Sequence, residues 1–244
     1  MSKSIIAITG SNNNKSKTKE ITDRILDELK KIDKNYTCKN IFLSELNLKY
    51  CTGCQECFYN GFCTLDKLDD MNFIRKNMLN SDVILMSSSV YALNVSGIMK
   101  TLIDRLSYQL HLLDFAGKLG FSLAVTDQSG SEIVNEYLEK ILTNLGVKNL
   151  SSYSFINIID SENKKISQIA ESINKKIQNN YGYSSYKLES LFKGYKKLHS
   201  SYNYLDLELE YELKFWNQSW VRTSDSFQEF ATKKRRMNND FTEK

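Results

Sequence analysis

Cys51-Thr52-Gly53-Cys54-Gln55-Glu56-Cys57, followed by Cys63, puts four of the five cysteines within thirteen residues. Core cysteines scatter along a chain, so this density reads as chemistry. Thiolates separated by two residues can wrap one compact centre, and Gly53 and Gly61 let the backbone fold closely around it. Cys51, Cys54, Cys57 and Cys63 could all serve a single iron–sulfur cluster, unlike the bacterial ferredoxin run whose fourth cysteine serves another cluster. Four thiolates also suit zinc, although structural zinc sites usually pair two well-separated Cys-x-x-Cys hooks. Free redox thiols are the third reading, and spacing alone leaves all three open.

A second chemical stretch is Gly10-Ser11-Asn12-Asn13-Asn14-Lys15-Ser16-Lys17-Thr18. It has neither the glycine–lysine pattern of nucleotide triphosphatases nor the three-glycine dinucleotide fingerprint. Its hydroxyls and amides stand just before a helix, where backbone N–H groups attract a phosphate. Ser11, Lys17 and Thr18, with Asn13 assisting, are expected to hold a terminal monophosphate such as that of FMN. A plain Ser/Thr/Asn helix cap would use the same residue types. No catalytic triad is visible. His111 and His199, the only histidines, are expected to be ordinary. That suits chemistry carried by a cofactor.

These segments need elements to position them. Ser4–Gly10 and Val83–Ser88 are continuous apolar runs, as in strands buried on both faces. Further strands are predicted at Tyr36–Leu43, Gly120–Thr126 and Ser154–Ile159. Helices are predicted at Lys19–Ile32, Asp69–Asn80, Ser96–Leu113, Ser131–Leu145 and Ile166–Ile177. Strands alternating with helices imply an α/β fold, a doubly wound five-stranded parallel sheet. Ligands on such sheets sit beyond the carboxyl ends of the strands. Cys38 falls in the second strand and reads as core.

Ser87-Ser88-Ser89-Val90-Tyr91-Ala92-Leu93-Asn94-Val95-Ser96-Gly97, running into Ile98–Arg105, carries the most specific pattern. It resembles the flavodoxin-like NADPH-dependent FMN reductases, whose third strand leads into Ser-Pro-Val-Tyr, a small-residue turn and a helix reading Leu-Lys-x-x-Ile-Asp-Arg. Ser88, Val90, Tyr91, Lys100, Ile103, Asp104 and Arg105 keep that pattern. Ser89 stands where the family often has proline, and Met99 also departs. The resemblance covers residue 3 to about residue 178. It implies that Ser89, Val90, Tyr91, Ala92, Leu93 and Asn94 lie along the isoalloxazine ring. Thr126, Asp127 and Gly130 would make its second contact, on a loop poorer in glycine than is usual. Lys100, Asp104 and Arg105 are read as structural, forming ion pairs or supporting a subunit contact.

The cysteine pattern resembles the iron–sulfur flavoproteins, a branch of that family with a four-iron cluster in the loop after the second strand. Asp69-Asp70-Met71 is read there as a helix cap. The resemblance implies an FMN-dependent oxidoreductase that takes electrons from NAD(P)H or a reduced carrier. A quinone, a nitro or azo compound, free flavin, dioxygen or a protein would accept them. An electron carrier without small-molecule turnover and a flavin-free, zinc-stabilised binding module are the competing readings.

Residues 1–180 are thus expected to form the flavodoxin-like domain and 181–244 a mainly helical extension for contacts in a homodimer or homotetramer. Leu188, Leu191, Phe192, Tyr195 and Leu198 recur at helical spacing. Leu205, Leu207, Leu209, Tyr211, Leu213 and Phe215 alternate as a strand would, yet their Leu, Glu and Lys content favours helix. Trp216 and Trp220 add apolar area that a monomer could hardly leave exposed. Of 244 residues, 41% are hydrophobic and 25% charged, enough for a core and incompatible with a disordered chain. No apolar run approaches a membrane span and the N-terminus does not read as a secretory signal, so a cytoplasmic protein is expected. A net charge of +4 is only mildly basic, and Lys233-Lys234-Arg235-Arg236 is read as a solvated basic tail, not a nucleic-acid surface.

Overall fold

The computed structural model describes residues 2–13, 15–157, 162–200 and 210–242. Leu205, Leu207 and Leu209, and the loop that follows residue 159, lie outside the described residues. Five parallel strands form the sheet: β1 (Lys3–Gly10), β2 (Tyr36–Phe42), β3 (Val83–Tyr91), β5 (Leu119–Thr126) and β6 (Lys148–Ile156). Their spatial order is β2-β1-β3-β5-β6, the flavodoxin-type doubly wound order. The two-residue β4 (Asn94–Val95) folds back antiparallel on β3. The registers align Gly10 with Ser88 and Ser88 with Ala124, which gathers the strand ends along one edge.

Helices cover both faces because the central strands β1, β3 and β5 are buried on both. On one face Ile5, Ala7, Leu85, Phe121 and Leu123 pack under α1 (Lys17–Ile32) and α7 (Glu162–Gln178). On the other, Ile6, Ile8, Ile84 and Met86 pack under α3 (Met71–Leu79), α4 (Gly97–Arg105) and α6 (Ser131–Asn144). β6 begins six residues before the predicted Ser154, because its first part is polar and only half-buried at the sheet edge. The predicted single helix Ser96–Leu113 breaks at Leu106 into α4 and α5 (Ser107–Leu112). There the Ser107 hydroxyl donates to the Asp104 carbonyl at 2.6 Å, and Leu113 closes α5 with φ of 47°.

The remaining helices are α2 (Glu56–Asn60), α8 (Tyr186–Ser200), α9 (Glu210–Trp216), α10 (Ser219–Arg222) and α11 (Phe227–Thr242). Phe192, Phe215, Trp216, Phe227 and Phe230 of the extension close over Tyr108, Leu112 and Leu113 as a third apolar core. Trp216 is 3% exposed within the single chain, so burying it requires no second subunit. The basic run is not a solvated tail. Lys234 pairs with Asp114 at 2.6 Å, and Arg235 with Asp82 and the Gly117 carbonyl, mooring α11 to the amino-terminal edge of the sheet. Among the described residues no helix is long and apolar enough to cross a membrane.

Candidate flavin site and cysteine loop

The β1–α1 turn is built from hydroxyls. Ser16 caps α1, its Oγ accepting from the Lys19 N–H at 3.3 Å, so the helix starts at Lys17 and not at the predicted Lys19. The first-turn N–H groups of a helix have no intrahelical acceptor, and they carry the positive end of its dipole. Ser11 and Thr18 are buried beside this end. Asn13 is exposed, its Oδ1 accepting from the Lys15 N–H at 2.9 Å. Lys17 is engaged elsewhere: its ammonium bonds Glu162 at 2.9 Å and Glu20 at 3.2 Å, and the Glu162 bond raises its pKa.

Thr18 joins this turn to the next loop. Its Oγ1 lies 2.7 Å from Ser89 Oγ in a buried hydroxyl pair, and one turn on, Thr22 Oγ1 lies 2.8 Å from Ser87 Oγ. Ser88 Oγ donates to the Ser89 carbonyl and accepts from the Ser96 N–H at 3.1 Å. All three serines at the end of β3 thus serve as ties, and Ser89 is fixed where the family often carries proline.

Val90 pairs with Val95 and Tyr91 with Asn94, leaving Ala92 and Leu93 as the two turn residues. Both are left-handed, at φ of 48° and 61°, as a type I′ hairpin requires. Such turns favour Asn-Gly, and an alanine followed by a leucine stores backbone strain there. The stretch expected to line the ring is therefore a tight hairpin. Tyr91, Ala92, Leu93 and Asn94 are exposed and Val90 is half-buried.

The β5–α6 loop meets this hairpin. Gly130 has φ of 86°, and a Cβ there would lie 2.9 Å from Val90 Cγ1 and 3.1 Å from Leu93 Cδ2. Glycine is required both for the conformation and for the approach. Thr126 Oγ1 donates to the Ser129 carbonyl at 2.8 Å, and Asp127 accepts from Asn157 Nδ2 at 2.6 Å. Ser11, Thr18, the hairpin, Thr126 and Gly130 accordingly share one edge, while Lys17 is turned to α7.

The cysteine loop leaves the same edge after β2. Cys51 and Cys54 are exposed, and Cys57 and Cys63 are half-buried. Burial, reinforced by the neighbouring Cys63, pushes the Cys57 thiol up to about 11. Among the described residues no three His, Cys, Asp or Glu side chains converge on a point that could hold a metal. The donor set suits a thiolate-bound centre, but this conformation does not gather the four sulfurs. Cys38, half-buried in β2, has its thiol pushed up to about 11 by burial.

The loop's neck is closed by backbone and carboxylates. Asp70 N–H donates to the Asn47 carbonyl at 2.9 Å, and Asp70 Oδ2 accepts from the Asn47 N–H at 2.8 Å. Asp69 accepts from the N–H groups of Lys49 and Met71. Asp70 stands at the N-cap of α3 but makes no side-chain cap, so the expected Asp69-Asp70 cap is only partly one. These carboxylates mainly bind the other side of the neck. Arg105 completes it, as a structural ion-pairing residue: NH1 donates to the Lys49 carbonyl at 3.0 Å and to Asp69, and NH2 to Asp66 at 2.8 Å. Arg75 holds the other Asp66 oxygen at 2.6 Å. Burial opposes the Arg105 charge, but Asp69, Cys63 and Asp66 outweigh it and raise its pKa. Lys100 and Asp104 form only an exposed pair at 2.5 Å along α4.

The extension also reaches this loop. The Tyr211 ring lies where a side chain on Gly61 would stand. Glu212 is buried between both histidines, 3.1 Å from His111 Nδ1 and 2.9 Å from His199 Nε2. His111 packs edge-on against Phe58 of α2, and the Trp216 indole N–H donates to the His111 carbonyl. The histidines are thus a latch for α9, a role with no sequence signal because Glu212 lies 101 residues from His111.

The fold and the family it matches together mark a flavin oxidoreductase. Residues 4–159 match the NADPH-dependent FMN reductase family, and the chain belongs to it. Among curated relatives, an iron–sulfur flavoprotein of Archaeoglobus fulgidus is 29% identical over 72% of this chain and 81% of its own length. Another from Methanosarcina thermophila is 30% identical over 50% of this chain and 62% of its own. They bear out the resemblance to that branch of the family. Two solved structures share the fold: a flavone reductase, at 15% identity and TM-score 0.56, covering 74% of this chain and 66% of its own; and the apo form of an NADH:FMN oxidoreductase, at 20% identity and TM-score 0.52, covering 75% and 91%.

Proposed function

We propose that this protein is an FMN-dependent oxidoreductase that draws electrons from NAD(P)H or a reduced carrier protein. It passes them to a quinone, a nitro or azo compound, free flavin, dioxygen or a protein acceptor. When bound, FMN supplies the means of exchanging one or two electrons. The chain's residues supply position. Ser11, Thr18 and the N-terminus of α1 hold the phosphate, and Lys17, drawn to Glu162, contributes charge from a distance. The left-handed hairpin at Ala92-Leu93 and the Thr126–Gly130 loop bracket the ring. In this reading Cys51, Cys54, Cys57 and Cys63 hold an iron–sulfur cluster that relays single electrons. The four-thiol donor set and the names of the curated relatives support this part.

The observation that carries the reading is the convergence of buried hydroxyls at one sheet edge, with Thr18 and Ser89 2.7 Å apart. Protein purified without air is expected to carry flavin bands and a brown cluster absorbance, with about four irons per chain. Iron at about one per chain or below removes the cluster. Failure of flavin-free protein to take up FMN removes the whole proposal. Steady-state NADPH oxidation with a quinone distinguishes an enzyme from a pure carrier.

A further inference from the structure

Residues 50–65, which contain all four clustered cysteines, form a loop whose two ends meet. Asn47 and Asp70 bond backbone to backbone, and Asp69 accepts from Lys49. One side chain spans this junction from outside it. From the last residue of α4, Arg105 donates to the Lys49 carbonyl, two residues before Cys51, and to Asp66, three residues after Cys63. Its side chain is completely buried. The planar fork suits this work, since five donors in fixed geometry can bind several acceptors at once. Four are used on Lys49, Asp66 and Asp69, but among the described residues the buried Nε–H has no acceptor. Burying an unpaired donor is costly, more so on a charged group. Asp66 and Asp69 balance the charges of Arg75 and Arg105, so removing Arg105 would leave uncompensated negative charge at the neck of the loop.

We propose that Arg105 is the positioning residue of the cysteine loop: its guanidinium fastens the loop's two ends, and its remaining Nε–H and positive charge are held for the sulfur-borne charge of the bound centre. The second half rests on the cluster reading given above; the first does not. Lysine at this position would keep the charge and lose the fork, whereas glutamine would lose both.

The test uses the full chain as wild type, Arg105→Lys, Arg105→Gln and Lys100→Ala, the last altering an exposed residue of the same helix. Thiol alkylation of iron-free protein reads loop closure. Cys57 and Cys63 are expected to react about tenfold faster in both Arg105 variants and unchanged in Lys100→Ala. Reconstitution with ferrous iron and sulfide reads the charge. Arg105→Gln is expected to shift the reduction equilibrium to lower potential by about tenfold, or 59 mV for a one-electron couple, with Arg105→Lys restoring most of it. Unchanged alkylation in Arg105→Lys, which keeps the buried charge balanced, overturns the fastening role even if Arg105→Gln does not fold. An unshifted potential in Arg105→Gln, or its failure to return in Arg105→Lys, overturns the charge role. Faster alkylation in the variants of a wild type that takes up no iron supports the fastening role while removing the cluster.

Discussion

Replacing Glu212 with alanine should detach the C-terminal extension from the cysteine loop without dissolving the sheet. The carboxylate makes two hydrogen bonds to imidazoles, and bonds to charged groups contribute about 1.5–3 kcal/mol each. The two are not equal. His111 is 44% exposed and water can replace its partner, whereas His199 is 2% exposed and would be left facing a cavity. Discounting the first bond for solvent screening gives a loss of about 3 kcal/mol, within the range for breaking a buried pair. Burial raises the Glu212 pKa, but His111 and His199 more than reverse this, so it lies below the ordinary 4.5. Its contribution is therefore present above pH 4.5 and lost as pH falls through the folded value. Urea unfolding should show Glu212→Ala destabilised and Glu212→Gln with a flatter acid limb. Hydrogen exchange should rise in α9 and α2 while β1 stays protected. A Glu212→Ala protein within about 0.5 kcal/mol of wild type would refute the latch.

Three other outcomes are expected. Leu93→Gly should raise the urea midpoint, because relieving left-handed strain of about 1–2 kcal/mol outweighs glycine's entropic cost of about 0.5–1 kcal/mol; a lowered midpoint would show that the leucine side chain is needed. Gly130→Ala should lose about 2 kcal/mol, from its positive φ and the Val90 contact, and should weaken FMN uptake; calorimetry reads both. Burial of Lys118, reinforced by Arg235, lowers its pKa from 10.5 to about 8, so between these values the unfolded chain binds a proton that the folded one does not. Stability of the wild type relative to Lys118→Met should consequently rise by about 3 kcal/mol from pH 8 to 10.5, and a flat difference would sink the assignment.

Much of the fold is legible because buried parallel strands leave continuous apolar runs, as at Ile5–Ile8 and Val83–Met86. The start of β6 is not, since an edge strand can be as polar as Lys148–Tyr153. Nor is the break at Leu106, where apolar spacing continues while the axis turns. The three loops of the site could be placed by their types, but not the directions of their side chains. Lys17 looked like a phosphate ligand because its partner, Glu162, lies 145 residues on. The basic run looked solvated for the same reason, its acceptors Asp82 and Asp114 being remote in sequence. Cysteine spacing declares a donor set; what closes the loop depends on Arg105, whose partners no local pattern reveals.

The aromatic seam between α5 and the last four helices has a practical corollary. Trimming the chain to its first 180 residues, the natural choice for a minimal crystallisable unit, would strip the cover from Tyr108, Leu112, Leu113 and Ala116. That greasy strip would favour clumping over folding, so a workable short form would need polar replacements there before any cut is made.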